Sequence, residues 1–389
     1  MTMTSDYLCS ADRAQGTFVG RVYDPELGGP CVVVLAGDRL ADISSSAATV
    51  ADLLENEDPV AAVAAATPDR WFDLTETIDN SFARSAAGPY FLAPCDLQAL
   101  KACGVTFAKS MLERVIEERA KGAPEKAERI RSEIAEAVGG ALHQVRPGSA
   151  EAERAKRLLE EAGYWSQYLE VGIGPDAEVF TKGQVLSAVG LGADIGVRGD
   201  SAWNNPEPEV VLAVNSRGRA VGATLGNDVN LRDFEGRSAL LLTKAKDNNG
   251  SCAIGPMIRL FDDHFGMDDV RRMTVDLDIT GEDGFELHDR SHMSEISRDP
   301  EDLVAQTLGP NHQYPDGLML FLGTLFAPTA DRGEPGQGFT HAIGDSVRIS
   351  APQIGALENV VRHCSDIAPW TFGARALFSN LAARGLVQS

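Results

Sequence analysis

At 389 residues the chain has room for one large domain or two unequal ones. Its 43% hydrophobic content is ample for a buried core, and its 24% charged content is that of an ordinary soluble protein. A net charge of −22 argues against nucleic acid and anionic membrane surfaces as partners, although screening over about 8 Å leaves local cations free to bind an anionic ligand.

The first residues, MTMTSDYLCSADRAQG, hold neither a basic segment nor an apolar run, so no signal peptide is expected. Val60–Ala66 is apolar but far too short to span a bilayer. Cys9, Cys31, Cys95, Cys103, Cys252 and Cys364 form no C-x-x-C pair and read as reduced, mostly buried thiols. A cytoplasmic protein is the expectation.

From Gly16 the pattern is strand-like: GTFVGRVYD, a turn at Pro25–Pro30, then CVVVLAGDRLADIS. Ser46 or Thr49 is placed to cap a short helix over Val50–Glu55, and a second helix covers Val60–Ala66 before Pro68. These elements predict a small mixed α/β N-terminal domain over 1–85, suited to packing or dimerisation. The rest, 86–389, reads as the main domain. AKSMLERVIEERAKG is a good helix by propensity. The charged, Ala-rich stretch after it, broken at Gly139-Gly140 and Arg146-Pro147-Gly148, predicts a helical insertion at about 118–163, either a lid or a passive surface hairpin.

The central block starts at Trp203. Glu207 and Glu209 flank Pro208 before the apolar run Val210–Val214. In an extended chain residues two apart face the same way, so both carboxylates aim at one spot, where like charges repel unless a cation sits between them. Asp228, following the expected strand Arg219–Leu225, offers a third oxygen. Such a set suits a hard ion such as Mg²⁺, with Mn²⁺ or Ca²⁺ as substitutes. The alternative is a solvated acidic strand edge.

Further on, MTVDLDI at 273–279 alternates as a half-buried strand, with FELHDRSHMSEI as its hairpin partner. His288 and His292 are four apart without helical context and read as surface residues. Glu301–Leu308 is an expected helix, Gly317–Thr324 a buried strand and Ala374–Ala383 a tail helix. Gly190, Gly192 and Gly196 lack G-x-G-x-x-G spacing, and no P-loop or G-x-S-x-G elbow is present.

The order Glu207-Pro208-Glu209, then Asn227-Asp228-Val229-Asn230-Leu231-Arg232-Asp233, then Lys246 ahead of Gly255-Pro256 resembles the fumarylacetoacetate hydrolase superfamily. The resemblance covers most of the chain beyond about Phe91. The wording K-D-N-N-G-S-C-A-I-G-P is closer to the sugar-acid dehydratase branch than to the hydrolases' K-S-F-D. It implies an α+β fold with a β-rich C-terminal domain of mixed sheets. It also implies metal ligands Glu207, Glu209 and Asp228, and substrate contacts from Arg232 and from Thr324 in a G-T loop.

Aligned from Gly104, the histidine of the family's G-x-N-Y-x-x-H-x-x-E segment falls on Ser110 and its glutamate on Glu113. Ser110 would then touch substrate, and Glu113 becomes the candidate acid/base. Lys246 would stabilise developing negative charge, with Lys244 as its rival on the same face if that segment is extended.

The activity implied is metal-dependent dehydration of a 2-keto-3-deoxypentonate, a small 2-keto acid, to 2-oxoglutarate semialdehyde in a homodimer or homotetramer. Two alternatives stay open. One is a hydrolase of 2,4-diketo acids using another water-activating group such as His143, and the other is a non-catalytic 2-keto-acid-binding protein.

Overall fold

The computed structural model describes residues 7–8, 15–83, 87–121, 126, 129–130, 145–161, 163, 165–324, 331–332 and 338–387, apart from the side chains of 108–110, 112 and 117. At its centre lies the strand Pro208–Val214, buried at every position. Val210, Leu212 and Val214 face a core shared with a second sheet, while Val211 and Ala213 face another core that includes Val50, Leu53 and Leu54. Burial on both faces is why the run reads as continuously apolar rather than alternating.

This strand belongs to an eleven-stranded sheet. Ala220–Asp228 and Leu318–Phe321 flank it, both antiparallel. Leu318–Phe321 pairs in parallel with Ala99–Gly104, which in turn pairs with Glu178–Gly183. On the other side Ala220–Asp228 pairs with Cys252–Leu260, which accepts Phe18–Asp24. Gly29–Ala36, Arg39–Asp42 and Arg70–Asp73 extend the ladder, so the N-terminal strands continue the central sheet.

A five-stranded sheet packs across the first core in the order Glu286–His292, Thr274–Thr280, Ser346–Ala351, Gly355–His363, Asp194–Val197. Val275, Leu277, Ile279, Val347 and Ile349 join the Val210 cluster. The alternate residues Asp276 and Asp278 pair with Arg290 and His288. The β-rich α+β expectation with mixed sheets describes this architecture.

Thr49 and Asp52 form a capping box at Val50–Leu54, and Asp58 caps Pro59–Ala65. The helix Ala108–Ala120 lays Met111, Val115 and Ile116 against Tyr168, Leu169, Ile173 and Trp203. Part of the predicted insertion lies outside the described residues, and Ala150–Glu161 within it is a helix.

Two expectations are corrected. Lys244 and Lys246 lie in the helix Leu242–Lys246, not in an extended segment. Two residues apart on a helix are about 200° apart, so Lys244 is exposed while Lys246 is buried. The strand expected to end at Leu225 runs on to Asp228, because Gly226, Asn227 and Asp228 keep pairing with Ile254, Ala253 and Cys252.

Candidate metal centre

The antiparallel register puts Pro208 opposite Asn227 and Glu209 opposite Gly226, so the start of one strand and the end of the next share an edge. Glu207 is pinned there. Its N–H donates to Asn227 Oδ1 at 3.1 Å, and its carbonyl accepts the Asp228 N–H at 3.0 Å. One oxygen from each of Glu207, Glu209 and Asp228 lies within 4.8 Å of the others, and all three residues are buried. Glu209 also accepts the Gly323 N–H at 2.6 Å. A Cβ on Gly323, whose φ is 92°, would strike Thr106 Oγ1, so this donor needs glycine.

Three cations enclose the carboxylates. Lys246 Nζ donates to Glu207 Oε2 and, at 2.9 Å, to Asp228 Oδ2. Lys182 Nζ is 2.9 Å from Asp228 Oδ1 and donates to the carbonyls of Lys246 at 2.5 Å and Val229 at 3.1 Å. Arg114 pairs with Glu207 Oε1 through one nitrogen and with Glu235 Oε2 at 3.0 Å through the other.

Burial, then the neighbouring carboxylates Asp228 and Glu207, push Glu209 well above the usual carboxyl range. Burial raises Glu207 as well, against the pull of Lys246 and Arg114. Burial also acts to raise Asp228, but Lys182 and Lys246 outweigh it and hold the group below its usual range. For Lys246 burial acts downward, yet Asp228 and Glu207 win and keep the ammonium protonated. A divalent cation among the three oxygens would relieve the repulsion that raises both glutamates. An all-oxygen, carboxylate-rich donor set fits a hard ion.

The centre opens on a small cavity of about 20 Å³, lined also by Phe180, Glu178, Glu235 and Thr324. The Glu178 carboxylate lies over Gly104, where any Cβ would collide with it. Burial, then the charge of Glu235, pushes this carboxyl up to about 7.

Of the residues singled out from sequence, Glu207, Glu209, Asp228, Lys246 and Thr324 meet at this cavity. Glu113 and Arg232 meet each other instead, at 3.6 Å, with Arg232 lying 4.2 Å above the Trp203 ring. The Ser110 side chain and all of His143 lie outside the described residues. Glu178, Lys182 and Arg114 were not singled out. Glu178 and Phe180 carry a readable sign, since two strand residues two apart share a face. Lys182, two residues beyond Phe180, follows the same alternation, although the pairing shifts register beside it: Leu100 and Lys101 are adjacent, but their partners Gly183 and Thr181 are not.

The fumarylacetoacetate (FAA) hydrolase C-terminal family model matches residues 155–362, more than half of the chain. The chain belongs to the fumarylacetoacetate hydrolase family. The matched stretch holds Glu178, Lys182, Glu207, Glu209, Asp228 and Lys246, whereas Glu113 and Arg114 precede it.

Among curated members, a probable 2-keto-3-deoxyxylonate dehydratase of Haloferax volcanii is 33% identical over 52% of this chain and 66% of its own length. A 2-dehydro-3-deoxy-D-arabinonate dehydratase of Saccharolobus solfataricus is 31% identical over 48% of this chain and 58% of its own. Both matches thus span less than two-thirds of those relatives. A solved 2-keto-3-deoxy-D-arabinonate dehydratase complexed with magnesium and 2,5-dioxopentanoate covers 89% of this chain and 99% of that one, with a TM-score of 0.60 and 21% identity. At that identity the likeness is one of fold. No helix among the described residues is long and apolar enough to cross a membrane.

Proposed function

We propose that the chain is a Mg²⁺-dependent hydro-lyase that removes water from a 2-keto-3-deoxy sugar acid, with a five-carbon acid as its substrate. The observation that carries this reading is the meeting, at one small cavity, of three carboxylates suited to a hard cation, a buried ammonium and a separate carboxyl pushed up to about 7. The activities named for the curated relatives support it, as do the ligands named for the solved relative. A cytoplasmic setting and a homodimeric or homotetrameric state belong to the same proposal.

Glu207, Glu209 and Asp228 would hold the ion. When bound, it supplies a Lewis acid that polarises the 2-keto group and acidifies the C3 proton. Lys246, protonated between two carboxylates, sets a fixed positive charge where negative charge develops on the C2 oxygen. Glu178 is assigned to proton transfer, because a carboxyl titrating near pH 7 both accepts and returns a proton at working pH. It takes the C3 proton and delivers it to the C4 hydroxyl as that group leaves. The C3–H and C4–O bonds break, a C3=C4 double bond forms and one water departs. In a five-carbon acid, proton shifts then turn the C5 hydroxymethyl into an aldehyde, giving 2-oxoglutarate semialdehyde without a redox cofactor. Glu113, anchored on Arg232, is the second candidate for the proton, and Ser110, Arg232 and Thr324 remain proposed substrate contacts.

Assays with Mg²⁺ on 2-keto-3-deoxypentonates and on acylpyruvates test the reading. Water loss with aldehyde formation is expected. Carbon–carbon cleavage of an acylpyruvate would install the hydrolase reading, and binding without turnover of either would install the non-catalytic one.

A further inference from the structure

The helix Ala108–Ala120 delivers a guanidinium to the carboxylate that a divalent ion would need. Arg114 engages Glu207 Oε1 while Lys246 engages Glu207 Oε2, so a cation sits on each oxygen of this one residue. The Arg114 side chain is only 12% exposed. Its guanidinium stays charged at any pH the protein meets, so deprotonation cannot remove it from an incoming positive ion. The cavity beside it, about 20 Å³, has room for roughly one water and not for a sugar acid. Arg114 therefore competes for a ligand oxygen and is one of the side chains that line this small cavity.

The second partner of Arg114 shows where the guanidinium can go. Glu235 Oε2 is buried and lies 3.0 Å from Arg114, yet it has no well-aligned hydrogen-bond donor among the described residues. That oxygen is thus ion-paired but without an aligned donor, and a guanidinium moving off Glu207 would be able to turn and donate to it. We propose that Arg114 is a built-in counter-cation: it neutralises Glu207 in the metal-free protein, and metal binding transfers it from Glu207 to Glu235. The inference rests on Glu207, Glu209 and Asp228 being the metal's ligands. Arg114 is here a residue that sets metal affinity, not one that touches reacting atoms.

Calorimetric titration of Mg²⁺ into the full chain, without substrate, tests this directly. Arg114→Gln removes the competitor, so affinity should rise by about tenfold, the scale of one charge-assisted hydrogen bond. A brace that merely held Glu207 in place would give the opposite result, weaker binding. Unchanged or weakened affinity in Arg114→Gln overturns the proposal. Glu235→Gln removes the negative charge that would receive the guanidinium and should lower affinity in the wild-type background but have much less effect alongside Arg114→Gln. Should Arg114→Gln fail to fold, Glu235→Gln alone decides, with unchanged affinity overturning the exchange. Effects of the two substitutions that simply add also overturn it, because additivity means no coupling. If the wild-type chain binds no Mg²⁺ at millimolar concentration, the metal reading itself has failed. Wild-type binding with no gain in Arg114→Gln fails the Arg114 inference alone.

Discussion

Two glutamates compete for the proton-transfer role, and their surroundings differ in kind. Glu178 faces the cavity with its carboxyl pushed up to about 7 by burial and by Glu235. Glu113 is spent on Arg232, itself stacked on Trp203. Glu178→Gln keeps the shape and cannot accept a proton, so turnover should fall by roughly 10²–10⁴-fold. Exchange of substrate C3 protons with deuterated solvent should vanish with it, while Mg²⁺ affinity changes little. Glu113→Gln should keep that exchange, and the reverse pattern would return the role to Glu113. Lys246→Met removes the ammonium between Glu207 and Asp228. If the ammonium stabilises charge formed only in the transition state, kcat should drop more than KM in steady-state assays. A raised KM with normal kcat would make Lys246 a carboxylate anchor. At this scale the sequence was legible where chemistry is local. The period of two fixed Glu207 and Glu209 together, but nothing along the chain linked Glu178 to them, because the link is a strand on the far side of the sheet.

Elements explain the rest of what was and was not readable. Pro208–Val214 and the alternating strand Thr274–Thr280 announce themselves because burial on two faces or on one writes directly into residue choice. The short helix Leu242–Lys246 does not, since four or five residues carry too little periodicity to choose helix over strand. What holds that helix to the site is Lys182, fully buried and reaching the Lys246 carbonyl, the Val229 carbonyl and Asp228 at once. It ties together three chain segments that are distant in sequence, its own strand, Asp228–Val229 and Lys246. Lys182→Met should leave a buried carboxylate short of one partner and two carbonyls without this donor. Removing one member of a buried ion pair typically costs about 3–5 kcal/mol, so urea unfolding of the metal-free protein should show a loss of that order. A loss under about 1 kcal/mol, the scale of an exposed pair, would mean that water replaces Lys182 at little cost.

For the molecule as a whole, the centre couples stability to pH and to metal in opposite directions. In the metal-free protein Glu178 titrates at about 7 instead of the ordinary 4.5, and Glu207 and Glu209 are also raised. A carboxyl raised by folding favours the folded state fully below its unfolded value and loses that contribution as pH rises through its folded value. Asp228 is lowered from 3.8, so its contribution fails only in stronger acid and plays no part between pH 5.5 and 8. The metal-free protein should therefore melt higher at pH 5.5 than at pH 8. If Glu207, Glu209 and Asp228 hold the ion, Mg²⁺ favours the ionised form of Glu209, the ligand raised well above the usual carboxyl range, so its affinity, and with it the stabilisation at fixed concentration, should grow from pH 5.5 to pH 8.

Melting curves in a chelator and in excess Mg²⁺ should thus diverge as pH rises. The net charge of −22 adds a general repulsion that also eases on acidification, but it acts on both metal states alike and so cancels in their difference. Glu178→Gln isolates one share: it should flatten the chelator curve between about pH 4.5 and 7 and leave the growth of the Mg²⁺ shift in place. A Mg²⁺ shift of equal size at pH 5.5 and 8 would mean that the ion binds without displacing protons. The ligands would then have to be carboxylates of ordinary acidity, and the buried group at Glu207, Glu209 and Asp228 would not be the site.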